Sequence, residues 1–194
     1  MNGYKRRTNA KKDSIIKTAW ELFSERGIKD VSIKEIAAKA KVSQVSIYNY
    51  FGDKNNLAKE ALISYIDKVI ESYDEILERN IPFSEKLKII MDKKYSAVVD
   101  ISQSPFTKYA QKDKTLQQIY KEASTTKAIS IYKKFIKLGK EEGAIDHTIS
   151  DDAIMSFLLS IVSIMQQPDY LKTSLEYRMD IFRLFLYGIL GKEE

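Results

Sequence analysis

Apolar residues recur every three or four positions along most of the chain, and a few punctuating residues break the phase. The two shortest patterns stand closest together. Ser32 precedes one that places Ile33, Ile36, Ala37 and Ala40 on a single face. Ser43 precedes another, with Val45 or Ile47, Tyr48 and Phe51 inward and Gln44, Ser46 and Asn49 outward. A serine hydroxyl at such a position can accept from the free backbone N–H groups of a first helical turn. Only Lys41 and Val42 separate the two patterns, so the helices must turn sharply and pack at once. This predicts a helix-turn-helix, with small Ala37 at the crossing and Val42 at the corner.

Longer patterns surround this pair. Asp13 is placed to cap a first helix to about Arg26, striped by Ile15, Ile16, Ala19, Leu22 and Phe23, with Gly27 as a left-handed end. Trp20 reads as a packing residue at its edge. Residues 1–12 hold Lys5, Arg6, Arg7, Lys11 and Lys12 without an acid, which reads as a disordered tail or as an arm along a nucleic acid. Asp53 can cap a fourth helix carrying Leu57, Ala61, Leu62, Tyr65, Ile66, Val69, Ile70, Tyr73 and Leu77, and Asn80, Ile81 and Pro82 end it. A fifth pattern from Ser84 repeats Leu87, Ile90, Met91, Lys94 or Tyr95, and Val98, and Pro105 fits the first turn of a short sixth helix. Asp113 can cap a seventh helix to about Glu142, with Leu116, Tyr120, Ala123, Ile131, Phe135 and Leu138 inward and Gly143 beyond it. Ser150, Asp151 and Asp152 open an eighth, to Gln167 and Pro168, and the last runs from about Ser174 to Leu190. The expectation is an all-α chain of about nine helices. The last two are apolar over more than one face, so burial against a second subunit is expected.

Composition narrows the function. Gly and Pro number 7 and 3, which suits helices, and without cysteine neither disulfides nor thiolate metal sites can form. The run from Ile154 to Met165 is too short to span a bilayer, and residues 1–12 lack the apolar core of a leader. A cytoplasmic protein is expected. Residues 1–60 carry 13 Lys and Arg against 7 Asp and Glu, a net +6, whereas the remainder carries 19 against 20. Such an imbalance fits a nucleic-acid-binding domain joined to a domain with another task. His147 is the only histidine, and no Gly-rich phosphate loop or nucleophile–base pair is present, so no metal, cofactor or catalytic residue is expected.

Together with AWELFSERGIKDVSIKEIA before it, the stretch from Ser32 to Lys54 resembles the DNA-binding domain of the TetR family of bacterial transcriptional regulators. The pattern runs through Ala19, Leu22, Phe23, Gly27, Ser32, Ile36 and Ala37, then Val42, Ser43, Ile47, Tyr48, Tyr50, Phe51, Lys54 and Leu57. Lys41 stands where the family usually has Gly, which implies a non-glycine residue at positive φ and a strain on the order of 1 kcal/mol. The resemblance implies that residues 1–54 bind DNA and that residues 55–194 bind a ligand and a partner subunit. Gln44 and Ser46 would read base edges at the tip of the second short helix, beside Val45 and Asn49. Tyr48, Tyr50 and Lys54 would hold phosphates, Lys34 would reach base or phosphate, and Ser32 and Ser43 would cap helices beside the backbone. A homodimeric repressor on a palindromic operator, paired through its last two helices and released by a small molecule, is the implied function. The alternative is a constitutive DNA-binding regulator without a ligand. Ile66, Ile70, Tyr73, Met91, Tyr95, Phe106, Tyr109, Tyr120 and Phe157 are apolar or aromatic and are expected to line a site for a hydrophobic or amphipathic effector.

Overall fold

A computed structural model describes residues 3–110, 112–167 and 169–190; for residues 3, 4, 95, 97–103 and 171 it describes the backbone alone. All regular structure among these is helical: α1 (Gly3–Arg26), α2 (Ile33–Ala40), α3 (Gln44–Phe51), α4 (Lys54–Glu78), α5 (Phe83–Gln103), α6 (Pro105–Ala110), α7 (Lys114–Glu141), α8 (Asp151–Met165) and α9 (Leu175–Leu190), with a single 3-10 turn at Tyr170–Lys172. The caps are those that the sequence offers. Asn56 N–H donates to Asp53 Oδ1 at 2.8 Å, Leu116 N–H to Asp113 Oδ1 at 3.0 Å, and Ala153 N–H to Ser150 Oγ at 3.2 Å. Gly27 has φ 83°, the left-handed conformation that ends α1. Pro168, expected to close α8, lies outside the described residues.

One element corrects the sequence reading. α1 begins at Gly3 and not at Asp13, so the basic segment is helical. Asp13 sits mid-helix because nothing before it stops the turn: residues 4–12 contain no Gly or Pro and are rich in Lys and Arg, which favour helix.

Packing divides the chain into two compact units. The first comprises residues 1–67 and 103–120, and the second residues 68–102 and 121–194. The functional boundary drawn at residue 54 and the packing boundary are therefore different lines. In the first unit, Ile15, Ala19, Phe23, Ile36, Ile47, Leu57 and Ala61 are essentially without exposure. α6 belongs here, against α1. Trp20 stacks on Tyr65 with ring centroids 4.2 Å apart and meets Phe106 edge-on at 5.0 Å. A side chain at Gly27 would sit 3.5 Å from Pro105 Cβ, so glycine serves both the turn and the approach of α6.

The second unit is built around Leu77, Phe83, Phe135, Ile136, Ile145, Ile154, Leu158 and Ile189. Gly139 lets the loop after α7 fold back, since a Cβ there would lie 2.5 Å from Ile145 Cδ1. Phe83 N–H donates to Glu142 Oε2 at 2.7 Å, which ties the start of α5 to the end of α7. Lys134 reaches Asp74 at 2.6 Å and Glu78 at 2.9 Å, and these hydrogen bonds raise its pKa above the usual lysine value.

Candidate nucleic-acid interface

The helix-turn-helix is fixed by short-range bonds. Ser32 Oγ accepts from Glu35 N–H at 3.2 Å, while Glu35 Oε2 accepts from Ser32 N–H at 3.0 Å, a reciprocal capping box. Arg26 Nη2 donates to Glu35 Oε1 at 2.7 Å. The Ser32 backbone donor, then the Arg26 and Ser32 side chains, hold the Glu35 carboxyl down at about 2. At the other end of α2, Lys41 adopts φ 57° and ψ 45°, and it is the one non-glycine residue at positive φ among those described. The strain expected of a lysine there is present, and it is offset by bonds from Val42 N–H to the Ala37 carbonyl and from Lys41 N–H to the Ala38 carbonyl.

α3 then starts on Ser43, whose Oγ accepts from Ser46 N–H at 3.1 Å. Ile47, 1% exposed, anchors it in the core. This settles the choice between Val45 and Ile47, because Val45 is 66% exposed. Tyr48 does not point inward as the periodicity suggested; it is 50% exposed. An eight-residue helix held by one central side chain leaves the rest of its circumference to solvent. Gln44, Val45, Tyr48 and Asn49 consequently share one exposed face, related as i and i+4. Ser46 is half-buried, and its hydroxyl lies 2.9 Å from that of Ser43, so its polar group is engaged within the helix start.

The cations expected at phosphates have distinct surroundings. Lys34 is exposed on α2. Lys54 Nζ donates to the Val31 carbonyl at 3.0 Å and so clamps α4 to the segment preceding α2. Lys12 Nζ sits 5.4 Å from the centre of the half-buried Tyr50 ring, which brings the basic end of α1 to α3. The charge of Lys12 was legible in the sequence; its place beside Tyr50 depends on α1 being helical that far.

Residues 15–61 match the family model described as bacterial regulatory proteins, tetR family. Over this stretch the chain carries the DNA-binding domain of the TetR family. The chain resembles proteins named as regulators of transcription. It is 23% identical over 154 residues to the HTH-type transcriptional repressor KstR2 of Rhodococcus jostii, covering 77% of this chain and 75% of that protein. Against the HTH-type transcriptional regulator HbdR of an Aromatoleum species it is 38% identical over 71 residues, 37% of this chain and 29% of that one. Its fold is similar to that of the transcriptional regulator FadR of Bacillus subtilis, solved with stearoyl-CoA, at a TM-score of 0.56 and 18% identity over 91% of this chain and 98% of that one.

The residues expected to line a ligand site are scattered. Ile66, Phe106, Tyr109 and Tyr120 belong to the first unit, and Ile70, Tyr73, Met91, Tyr95 and Phe157 to the second. Phe106, 2% exposed, and Ile66, 4% exposed, are core residues of the first unit. Tyr120 and Phe157 are not inward, at 45% and 37% exposed. For Tyr120, enclosure of the hydroxyl end nevertheless raises its pKa. Phe157 lies parallel to Phe185 at 6.4 Å, against Gly188, where a Cβ would come within 2.8 Å. The Tyr95 side chain lies outside the described residues. Hollows occur among the described residues of the second unit. An open groove of about 380 Å³ is bordered by Ser72, Glu75, Arg79, Asp92 and Lys93, and an enclosed cavity of about 20 Å³ lies beside Lys94 and Arg178. Neither is lined by the nine residues picked from the sequence.

Lys94 and Arg178 were missed, although the register carried a signal. Lys94 follows Met91 by three and Ile90 by four, which puts a cation within the apolar stripe of α5. Among the described residues, no helix is long and apolar enough to cross a membrane, and no cluster of His, Cys, Asp and Glu could hold a metal ion.

Proposed function

We propose that the protein is a repressor that binds a palindromic operator as a homodimer and is released by a small hydrophobic or amphipathic molecule held in the second domain. The observation that carries the DNA-binding part is the exposed face of α3, Gln44, Val45, Tyr48 and Asn49, on a helix fixed by Ile47 and the Ser43 cap. Gln44 reads a base edge with Val45 and Asn49 beside it. Tyr48, Tyr50, Lys34 and Lys54 contact the backbone, and Ser32, Ser43 and Ser46 hold the helix starts in place. Dimerisation is supported by apolar side chains left exposed on the last two helices: Phe157 on α8, and Tyr177, Leu184 and Tyr187 on α9. Ala153, Ser156 and Ser160 lie exposed along α8, small enough for a partner helix to approach. The release step is a population shift, in which the effector favours a dimer whose two recognition helices no longer match successive major grooves. Repression is the activity of the Rhodococcus relative, and the Bacillus FadR complex supports a ligand role for the second domain.

A second reading has its own observation. An enclosed cavity of about 20 Å³ has room for one water, so a filled second domain would make a constitutive regulator.

The test compares two single substitutions against operator duplexes selected from a random pool. Gln44→Ala relaxes preference at one base pair of each half-site by about 1–3 kcal/mol. Lys34→Ala weakens every duplex alike and lowers the salt slope by about one unit. If both substitutions altered base preference in the same way, the division into reading and backbone-holding residues would be wrong.

A further inference from the structure

Two cations of the second unit face one enclosed cavity and no acid. Lys94 on α5 and Arg178 on α9 line it together with Ile161, Met165, Met179 and Phe182. Arg178 is 7% exposed; its Nε donates to the Ser174 carbonyl at 3.4 Å, and its Nη1 is enclosed without a partner. The Lys94 ammonium lies 5.5 Å from the centre of the Tyr73 ring and 5.9 Å from that of Phe182. The residue keeps some exposure, but enclosure of its ammonium lowers its pKa. Among the described residues no ion pair reaches either one, whereas Lys134 and Lys140 in the same unit each sit 2.6 Å from an aspartate. Enclosing a cation without a counter-charge is costly, and a Met at either place would pack at lower cost. Ring faces return only part of that penalty. A pair of such cations turned toward a common apolar cavity is the half of a site that an anion completes.

Resting on the reading of the second domain as effector-binding, we propose that the effector is an anion with an apolar body: its carboxylate or phosphate head sits between Lys94 and Arg178, and its body runs along Ile161, Met165 and Phe182. A planar guanidinium can hold either head by two parallel bonds, with the ammonium as a point charge beside it. The cavity is closed around a volume of about 20 Å³, and the unbranched chains of Met165 and Met179 are the side chains able to give way as the body enters. Like-charge repulsion at the same place rejects a cationic amphiphile.

The test titrates the protein with four decyl compounds that share one tail: decanoate, decyl phosphate, decanol and decyltrimethylammonium. Binding is read by calorimetry and by release of operator DNA. One of the two anions is expected to bind at least tenfold more tightly than decanol, and the quaternary ammonium to bind least. Which anion wins distinguishes a carboxylate from a phosphate head. Lys94→Met and Arg178→Gln should each bring the anion down to the decanol value while leaving decanol binding and operator affinity unchanged. Should Arg178→Gln fail to fold, Lys94→Met alone gives the same reading. Equal binding of decanol and the anions by the native protein would overturn the head-group assignment while leaving effector binding intact. No binding of any of the four, with operator affinity intact, would remove the effector reading and this inference with it.

Discussion

Ser32, Ser43 and Glu35 lie at the surface of the first unit and close their cap hydrogen bonds within three residues, with Arg26 also reaching Glu35, whereas Lys94 and Arg178 border a cavity of the second unit and meet no carboxylate among the described residues. The first arrangement costs little, because the polar groups keep their water and exchange a few bonds for helix caps. It makes a rigid reading head from two helices of eight residues each. The second arrangement is expensive, because enclosing a cation without a counter-charge is costly. The comparison teaches that polar groups which fix geometry close on near partners, as these caps do and as Lys134 does with Asp74 and Glu78, whereas Lys94 and Arg178 are the exception within the second unit.

Cores give the sharpest contrast with surfaces. Phe83, 1% exposed, is part of the second unit's core, and Phe83→Ala should cost about 3–5 kcal/mol in chemical denaturation. Val45, 66% exposed on the reading helix, should behave oppositely. Val45→Ala should change stability by no more than about 0.5 kcal/mol while weakening operator binding. A loss of stability from Val45→Ala comparable to that from Phe83→Ala would mean that α3 is packed where it is read here as free.

The next largest effect concerns α9. Leu184 is 64% exposed, so Leu184→Glu leaves the fold of one subunit undisturbed. Placed in a subunit interface, however, an unpaired carboxylate costs several kcal/mol. Sedimentation should show the variant as a folded monomer at micromolar concentration, where the native protein is expected to sediment as a dimer. A variant that remained fully dimeric would move the interface away from this face.

What the sequence made legible follows from the range of the forces involved. The caps at Ser32, Ser43, Asp53, Asp113 and Ser150 act over two or three residues, and each is found where the pattern put it. The positive φ at Lys41 is equally local. Long-range packing was not legible. That α6 would cover α1, making Phe106 a core residue beside Trp20, depends on a contact across more than eighty positions of chain. The choice between Val45 and Ile47, and the outward turn of Tyr48, were decided by what α3 packs against. Its period allowed both. For the residues expected to line a ligand site, aromatic character is a poor guide to burial: Tyr120 is 45% and Phe157 37% exposed, and two of the residues that border the small cavity are cations.

The smallest effect probes the surface side of the comparison by pH. In the folded chain the Glu35 carboxyl is held at about 2, against an ordinary value of 4.5, first by the Ser32 backbone donor and then by Arg26. A folded-state pKa below the unfolded one means that ionised Glu35 favours the folded state. That contribution is complete above pH 4.5 and is lost as the pH falls from there toward 2. Glu35→Gln keeps a capping side chain but removes the charge, so the variant should lack this part of the acid-induced decline. The measurement is thermal unfolding followed by helical circular dichroism from pH 7 down to about 2, native and variant side by side. Their difference isolates Glu35 from other depressed carboxyls such as Asp146, which both proteins retain. Because Glu35 is open to solvent, added salt should shrink the difference by screening the Arg26 pair, while the backbone bond from Ser32 persists. Parallel pH profiles for the two proteins would show that the capping box fixes geometry without storing charge-dependent stability. The contrast with the second unit would then rest on Lys94 and Arg178 alone.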